Sequence, residues 1–242
     1  MKHKNGILYG IGVGPGDPEL IPLKSVRILK GVDIVFAASS SKNDYSIALE
    51  IARPHLGKDI QTIRLSFPMT ADIEREKHAW RKNAETVIKY LNQGKDAAFI
   101  TIGDPLTYST YGYLVKEIKS LSPNTAINTI PGITSYQAAA ALTNTPLAEG
   151  NESLLILSGL KEKDRLKNLI GKADNIILLK AYRNMQEICS AIEELDLTNK
   201  TTGVIRCGLD GEEVITDIRK MLNKKPHYFT VLMIKNTRTT TS

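Results

Sequence analysis

Short apolar runs, each closed by a turn and followed by helically spaced apolar positions, fill the first half of the chain. Runs of this length read as buried strands, and apolar residues recurring at i, i+3 and i+4 read as one face of a helix. On that basis strands are predicted over residues 6–13, 32–37, 60–65, from Ala97, and 125–130. Helices are predicted over 23–30 (apolar at Leu23, Val26, Ile28 and Leu29), 46–56, 73–92, 111–121 and from Ser135 to Leu142. The helix over 111–121 carries Tyr111, Leu114, Val115, Ile118 and Leu121 on one face. Regular alternation of strand and helix implies a parallel sheet with right-handed crossovers. Beyond Pro131-Gly132 the texture changes. Strands over 153–157, 175–181, 201–207 and 228–234 mix with helices over 164–170 and 185–195 and a helix-like segment over 213–222. Shorter connections imply a mixed sheet. The expectation is two α/β domains, 1–131 with a parallel sheet and 132–242 with a mixed one.

Glycine-bearing loops follow the first, fourth and fifth strands: Gly10-Ile-Gly12-Val-Gly14-Pro15-Gly16-Asp17-Pro18, Gly103-Asp104-Pro105, and Pro131-Gly132-Ile133-Thr134-Ser135. In a parallel sheet these loops leave the same edge, where α/β sheets bind ligands. The first is not a dinucleotide fingerprint: a G-x-G-x-x-G begun at Gly10 meets Pro15 where glycine is required, and one begun at Gly12 meets Asp17. Nor is it a Walker A loop, because no correctly spaced glycine precedes Lys24-Ser25. Its glycines serve either close packing of the strand on a neighbour or room for a ligand near Pro15. Asp33 reads as a strand-start residue rather than a ribose-binding acid.

Composition narrows the partners. The 242 residues carry a net charge of +6, which suits an acidic small molecule, an anionic surface or nucleic acid. The bases are scattered among acids, no Lys/Arg run forms an arm, and aromatics make up 6%, which argues against a nucleic-acid binder. Two cysteines, Cys189 and Cys207, and four dispersed histidines form no metal-binding spacing, so no protein-bound metal is expected. No apolar run is long enough to span a membrane, and no signal-peptide core is visible, so a cytoplasmic protein is expected. The tail over 236–242 is expected to be loose.

Taken in order, the three glycine-bearing loops resemble those of the tetrapyrrole methylases, S-adenosylmethionine (SAM) enzymes of corrin and sirohaem synthesis, over essentially the whole chain. Phe67-Pro68-Met69-Thr70, Asp104-Pro-Leu-Thr-Tyr-Ser-Thr-Tyr111 and Pro146-Leu-Ala-Glu-Gly150 further resemble the branch that methylates C20 of precorrin-2 or cobalt-factor II on the way to cobalamin. The alternatives are another methylase of the fold, acting on uroporphyrinogen III or another precorrin, or one resembling diphthine synthase. The resemblance implies a homodimer with an active-site trough between two α/β domains, and SAM bound there rather than on a Rossmann turn. It places SAM contacts on Pro15, Ile102, Gly103, Asp104, Thr107, Thr134 and Ser135, with more from Ala181, Tyr182 and Gly208. Ala181-Tyr182-Arg183 stands where the family carries a methionine-containing turn. Asp104 is expected to position the cofactor. Tyr108 either orients substrate or relays a proton, or else packs as an aromatic after a turn. The resemblance implies a polycarboxylate substrate, for which Arg53, Arg64, Arg183 and Arg206, near predicted strand or helix ends, are candidate partners.

Overall fold

The structure is a computed structural model that describes residues 5–39, 46–68, 70, 72–159, 163–222 and 227–236, with backbone only for Lys163, Arg165 and Arg183. Met69, residues 40–45 between the predicted strand and helix, the tail beyond Asn236 and the Arg183 side chain therefore lie outside the described residues. The chain divides into two compact units, Met1–Thr134 and Ser135–Ser242.

In the first unit, β1 (Leu8–Gly12), β2 (Ile34–Ser39), β3 (Gln61–Ser66), β4 (Ala97–Thr101) and β5 (Ile127–Ile130) form one sheet in the order β3-β2-β4-β1-β5. Every pairing is parallel. The crossovers are α1 (Leu23–Leu29), α2 (Ile47–Ala52), α3 (Ile73–Leu91) and α4 (Tyr111–Leu121). Both faces of the sheet are covered. Ile11, Val35, Ile100, Leu29 and Ile51 share one core, and Leu8, Phe36, Phe99, Val87, Leu114 and Ile118 share the other. This two-sided burial explains why β2 and β4 read as continuous apolar runs rather than alternating ones. Asp33 lies just before β2, where its carboxylate accepts from the Asp96 N–H at 2.8 Å. It therefore ties the amino ends of two strands together, away from the loops of interest.

Two details differ from the pattern reading. Leu23, expected on the buried face of α1, is 82% exposed, while Ser25 takes a buried position. The helix expected over 46–56 stops at Ala52 and finishes as a 3-10 turn over Arg53–His55, since Pro54 has no N–H to continue the ladder.

The second unit holds β6 (Leu154–Ser158), β7 (Asn175–Leu179), β8 (Thr201–Ile205), β9 (Glu213–Ile215) and β10 (Thr230–Lys235), in the order β6-β7-β10-β8-β9. β6 and β7 are parallel, whereas β10 runs antiparallel to both β7 and β8. Helices α6 (Lys163–Ile170) and α7 (Met185–Glu194) bury Leu166, Ile170, Ile188 and Ile192 against Ile176, Leu178 and Leu232. Helix α5 (Ser135–Leu142) contacts β10.

The helix-like segment over 213–222 is instead strand β9 and a 3-10 turn, Ile218–Met221. Asp217 breaks it: its carboxylate caps the Arg219 N–H at 3.1 Å, the local bond by which Asp competes with a continuous helix. Strands β7 and β8 end two residues early, because Lys180 and Arg206 adopt the left-handed conformation. Among the described residues no helix is long and apolar enough to cross a membrane.

Candidate active site

Because β4, β1 and β5 are adjacent and parallel, the loops after them leave the sheet side by side. They then lock together through their backbones. Gly103 donates its N–H to the Gly14 carbonyl at 2.7 Å, and Val13 donates to the Thr101 carbonyl at 2.9 Å. A Cβ on Gly12 would stand 2.4 Å from the Gly103 carbonyl oxygen and 2.7 Å from Gly132 Cα. A Cβ on Gly132 would stand 2.2 Å from that same oxygen. No side chain fits where these three residues cross. Of the two uses open to the first loop's glycines, close packing accounts for Gly12. It also accounts for Gly10, where a Cβ would fall 2.0 Å from Cζ of Tyr111. That tyrosine is fully buried, stacks near Phe99 and shares a 2.9 Å hydrogen bond with the Thr129 hydroxyl. Burial pushes its phenol pKa up, opposed in part by the Thr129 bond.

Asp104 joins two of the loops. One carboxylate oxygen accepts from the Leu106 N–H at 2.9 Å and the Thr107 hydroxyl at 3.2 Å. The other accepts from the Gly132 N–H at 3.2 Å. Ser109 extends the tie: its hydroxyl bonds that of Thr101 at 3.0 Å and accepts the Tyr111 N–H at 3.2 Å. Ser109 lies in the Asp104–Tyr111 segment but is not among the predicted site residues; its place two residues before a helix start hints at such a cap.

The predicted residues Pro15, Ile102, Gly103, Asp104, Thr107 and Thr134 thus gather at one sheet edge, with Ser135 next in the chain as the first residue of α5. Pro15 and Thr134 are buried. Gly103 is left-handed (φ 68°), and a Cβ there would meet only the Ile133 carbonyl and Thr134 Cα, each at 3.9 Å. Unlike Gly12 and Gly132, Gly103 therefore has room for one more carbon on the side that faces Ile133 and Thr134. The anchored Asp104 carboxylate makes this edge favourable to a cation.

The remaining predicted contacts, Ala181, Tyr182 and Gly208, belong to the second unit. They follow β7 and β8, which flank β10, so they share one edge of that sheet. Lys180 (φ 57°) turns the chain into a 3-10 turn over Ala181–Asn184. Ala181 is buried, and the Tyr182 ring lies 5.5 Å from that of Tyr228. Arg206 (φ 53°) turns the other strand end, and the Gly208 N–H donates to the Glu212 carboxylate at 2.7 Å. Burial, then Glu212, pushes the neighbouring Cys207 thiol up to about 11, so it stays protonated near neutrality. Arg206 also faces His227, donating to its Nε2 at 3.1 Å, while the Phe229 N–H approaches Nδ1 at 3.1 Å. Donors thus face both ring nitrogens. Burial first, and Arg206 second, lower the His227 pKa.

Of the other candidate arginines, Arg183 lies on the 3-10 turn after β7, with its side chain outside the described residues. Arg53 pairs with Glu50 at 2.7 Å, and Arg64 is exposed on the outer strand β3. Among the described residues no group of three or more His, Cys, Asp or Glu is arranged to hold a metal ion.

Comparison with known proteins agrees with this geometry. The model of the tetrapyrrole (corrin/porphyrin) methylases matches residues 7–221. A probable cobalt-precorrin-2 C(20)-methyltransferase of Methanocaldococcus jannaschii is 41% identical over 190 residues, covering 78% of each chain. The cobalt-precorrin-2 C(20)-methyltransferase of Salmonella typhimurium is 29% identical over 231 residues, 95% of this chain and 96% of that one. The uroporphyrin-III C-methyltransferase of Thermus thermophilus, solved with S-adenosylhomocysteine, shares the fold at a TM-score of 0.66 and 18% identity, covering 95% of this chain and 92% of that one. Two α/β units, a non-Rossmann glycine edge and these matches make the chain a member of the tetrapyrrole methylase family.

Proposed function

We propose that the protein transfers the methyl group of SAM to C20 of precorrin-2 or its cobalt-containing counterpart. The observation that carries this reading is the 41% identity to a relative named for that reaction, together with the interlocked edge formed by Gly12, Gly103 and Gly132. SAM, when bound, supplies a sulfonium-borne methyl group open to in-line displacement by a ring carbon. The chain's own part is to hold two reactants in line and keep water out.

In this reading Gly103 and Thr134 meet the cofactor, with Pro15, Ile102, Thr107 and Ser135 beside it. Asp104 sets the mutual position of the loops that carry them, since both its oxygens are committed to neighbouring N–H and O–H groups. The residual negative charge there favours a cationic ligand. Ala181, Tyr182 and Gly208 are proposed as further contacts from the second unit, supported by their common sheet edge. Of the candidate bases for the polycarboxylate, Arg64 is exposed, while Arg53 and Arg206 are already hydrogen-bonded within the chain. A homodimer and a cytoplasmic location belong to the same reading, carried by the family resemblance. Sedimentation at two concentrations tests the dimer.

Anaerobic incubation with 13C-methyl SAM and precorrin-2, with and without cobalt, tests the activity. The expected product carries one new methyl, with its NMR signal at C20. A methyl at another carbon, or transfer only to uroporphyrinogen III, would contradict the assignment.

A further inference from the structure

The segment after Asp104 sorts its side chains by direction. Thr107 turns inward, its hydroxyl donating to the Asp104 carboxylate at 3.2 Å. Its two neighbours turn outward: Leu106 is 69% exposed and Tyr108 52% exposed. Large apolar side chains presented to water in a loop need a reason when the loop is well held, and this one is. The Leu106 N–H is bonded to Asp104 at 2.9 Å, and Ser109 is fixed to Thr101 at 3.0 Å. Tyr108 also sits in the left-handed region, at φ 50°, which disfavours any residue with a Cβ. Strain of this kind in a well-held loop gathers where a ligand must be met. The loop leaves the sheet edge at Gly103, the residue proposed above to meet the cofactor.

We infer that Leu106 and Tyr108 form a rigid apolar ledge that meets the flat face of the tetrapyrrole, while Thr107 between them faces the cofactor side; the inference rests on the methyltransferase reading above. A macrocycle is apolar on its faces and acidic at its rim, so an aliphatic and an aromatic side chain on a pinned loop match the face. Tyr108 is on this view a contact for substrate, not a proton donor.

The test compares Leu106→Ser, Tyr108→Ser and Tyr108→Phe with wild type, using precorrin-2 as substrate and S-adenosylhomocysteine as cofactor probe. The two serine variants should each raise KM for precorrin-2 about tenfold, the loss of roughly one buried apolar side chain. Their kcat and their affinity for S-adenosylhomocysteine by calorimetry should stay within about twofold of wild type. Tyr108→Phe, which keeps the ring, should raise KM for precorrin-2 less than Tyr108→Ser does. Unchanged KM in Leu106→Ser, or a fall in kcat in Tyr108→Phe, overturns the ledge while leaving the methyltransferase reading intact. Failure of the wild type to bind or methylate precorrin-2 overturns both. Because Leu106 is exposed, its substitution should leave the melting temperature unchanged, which separates lost contact from lost fold.

Discussion

At the edge of the first sheet the loops meet backbone to backbone, through Gly12, Gly103 and Gly132. At the edge of the second sheet they meet through side chains: Tyr182 with Tyr228, Arg206 with His227, and Glu212 with the Gly208 N–H. Both edges use left-handed turns: the first puts glycine at Gly14 and Gly103 and only Tyr108 beyond them, whereas the second holds Lys180 and Arg206 there ahead of Gly208, conformations that glycine would take without strain. Where backbone meets backbone, at Gly12 and Gly132, the first edge leaves no room for a side chain, while the second can exchange side chains as long as its contacts survive.

The largest expected effect comes from breaking the first edge. Gly12→Ala drives a Cβ into backbone atoms that cannot swing aside, and should cost about 3 kcal/mol of stability in denaturant melts, with loss of S-adenosylhomocysteine binding. Retention of both would mean that the loops are not locked as described. Asp104→Asn is next. The amide keeps one acceptor but turns an NH2 toward another donor, so about 1–3 kcal/mol should be lost, with cofactor affinity falling in step. At the second edge the matching experiment is Lys180→Gly. Relief of the left-handed strain offsets the lost contact between its ammonium and the Tyr228 ring, 5.6 Å away, so stability should move by no more than about 0.5 kcal/mol. A loss as large as that of Gly12→Ala would erase the contrast.

The smallest effect is a pH dependence confined to the second edge. The folded state holds the His227 pKa below its ordinary value of 6.5. The unfolded chain therefore binds a proton first as pH falls, and the contribution of neutral His227 to stability, complete above about 6.5, is lost on going below it. Both ring nitrogens face donors, and an imidazolium has no acceptor left for either. His227→Gln should flatten the melting-temperature profile below pH 6.5, while Asp104→Asn leaves that slope unchanged. A profile that is flat already in the wild type would contradict the placement of the ring.

The same contrast decides what can be read from residues alone. Glycines at strand ends are conspicuous, so the first edge and the residues on it stood out, as did the parallel sheet from its repeating apolar runs. Tyr111 was legible as a core residue, but its fit under Gly10 needed coordinates, since nothing in sequence links positions a hundred residues apart. Lys180 and Arg206 carry no mark of left-handed geometry in sequence, and for that reason β7 and β8 end earlier than their apolar runs imply. The segment over 213–222 misled because its apolar spacing suits a helix, while the Asp217 cap, a local hydrogen bond, prevails. Outward-turned Leu106 and Tyr108 are likewise a matter of loop geometry, not of residue type.

The most direct measurement is a crystal structure of the protein with S-adenosylhomocysteine. The account predicts the ligand against Gly103 and Thr134, with the Asp104 carboxylate still bonded to Leu106, Thr107 and Gly132. A ligand bound elsewhere, or an Asp104 that abandons Gly132 to reach it, would contradict the account.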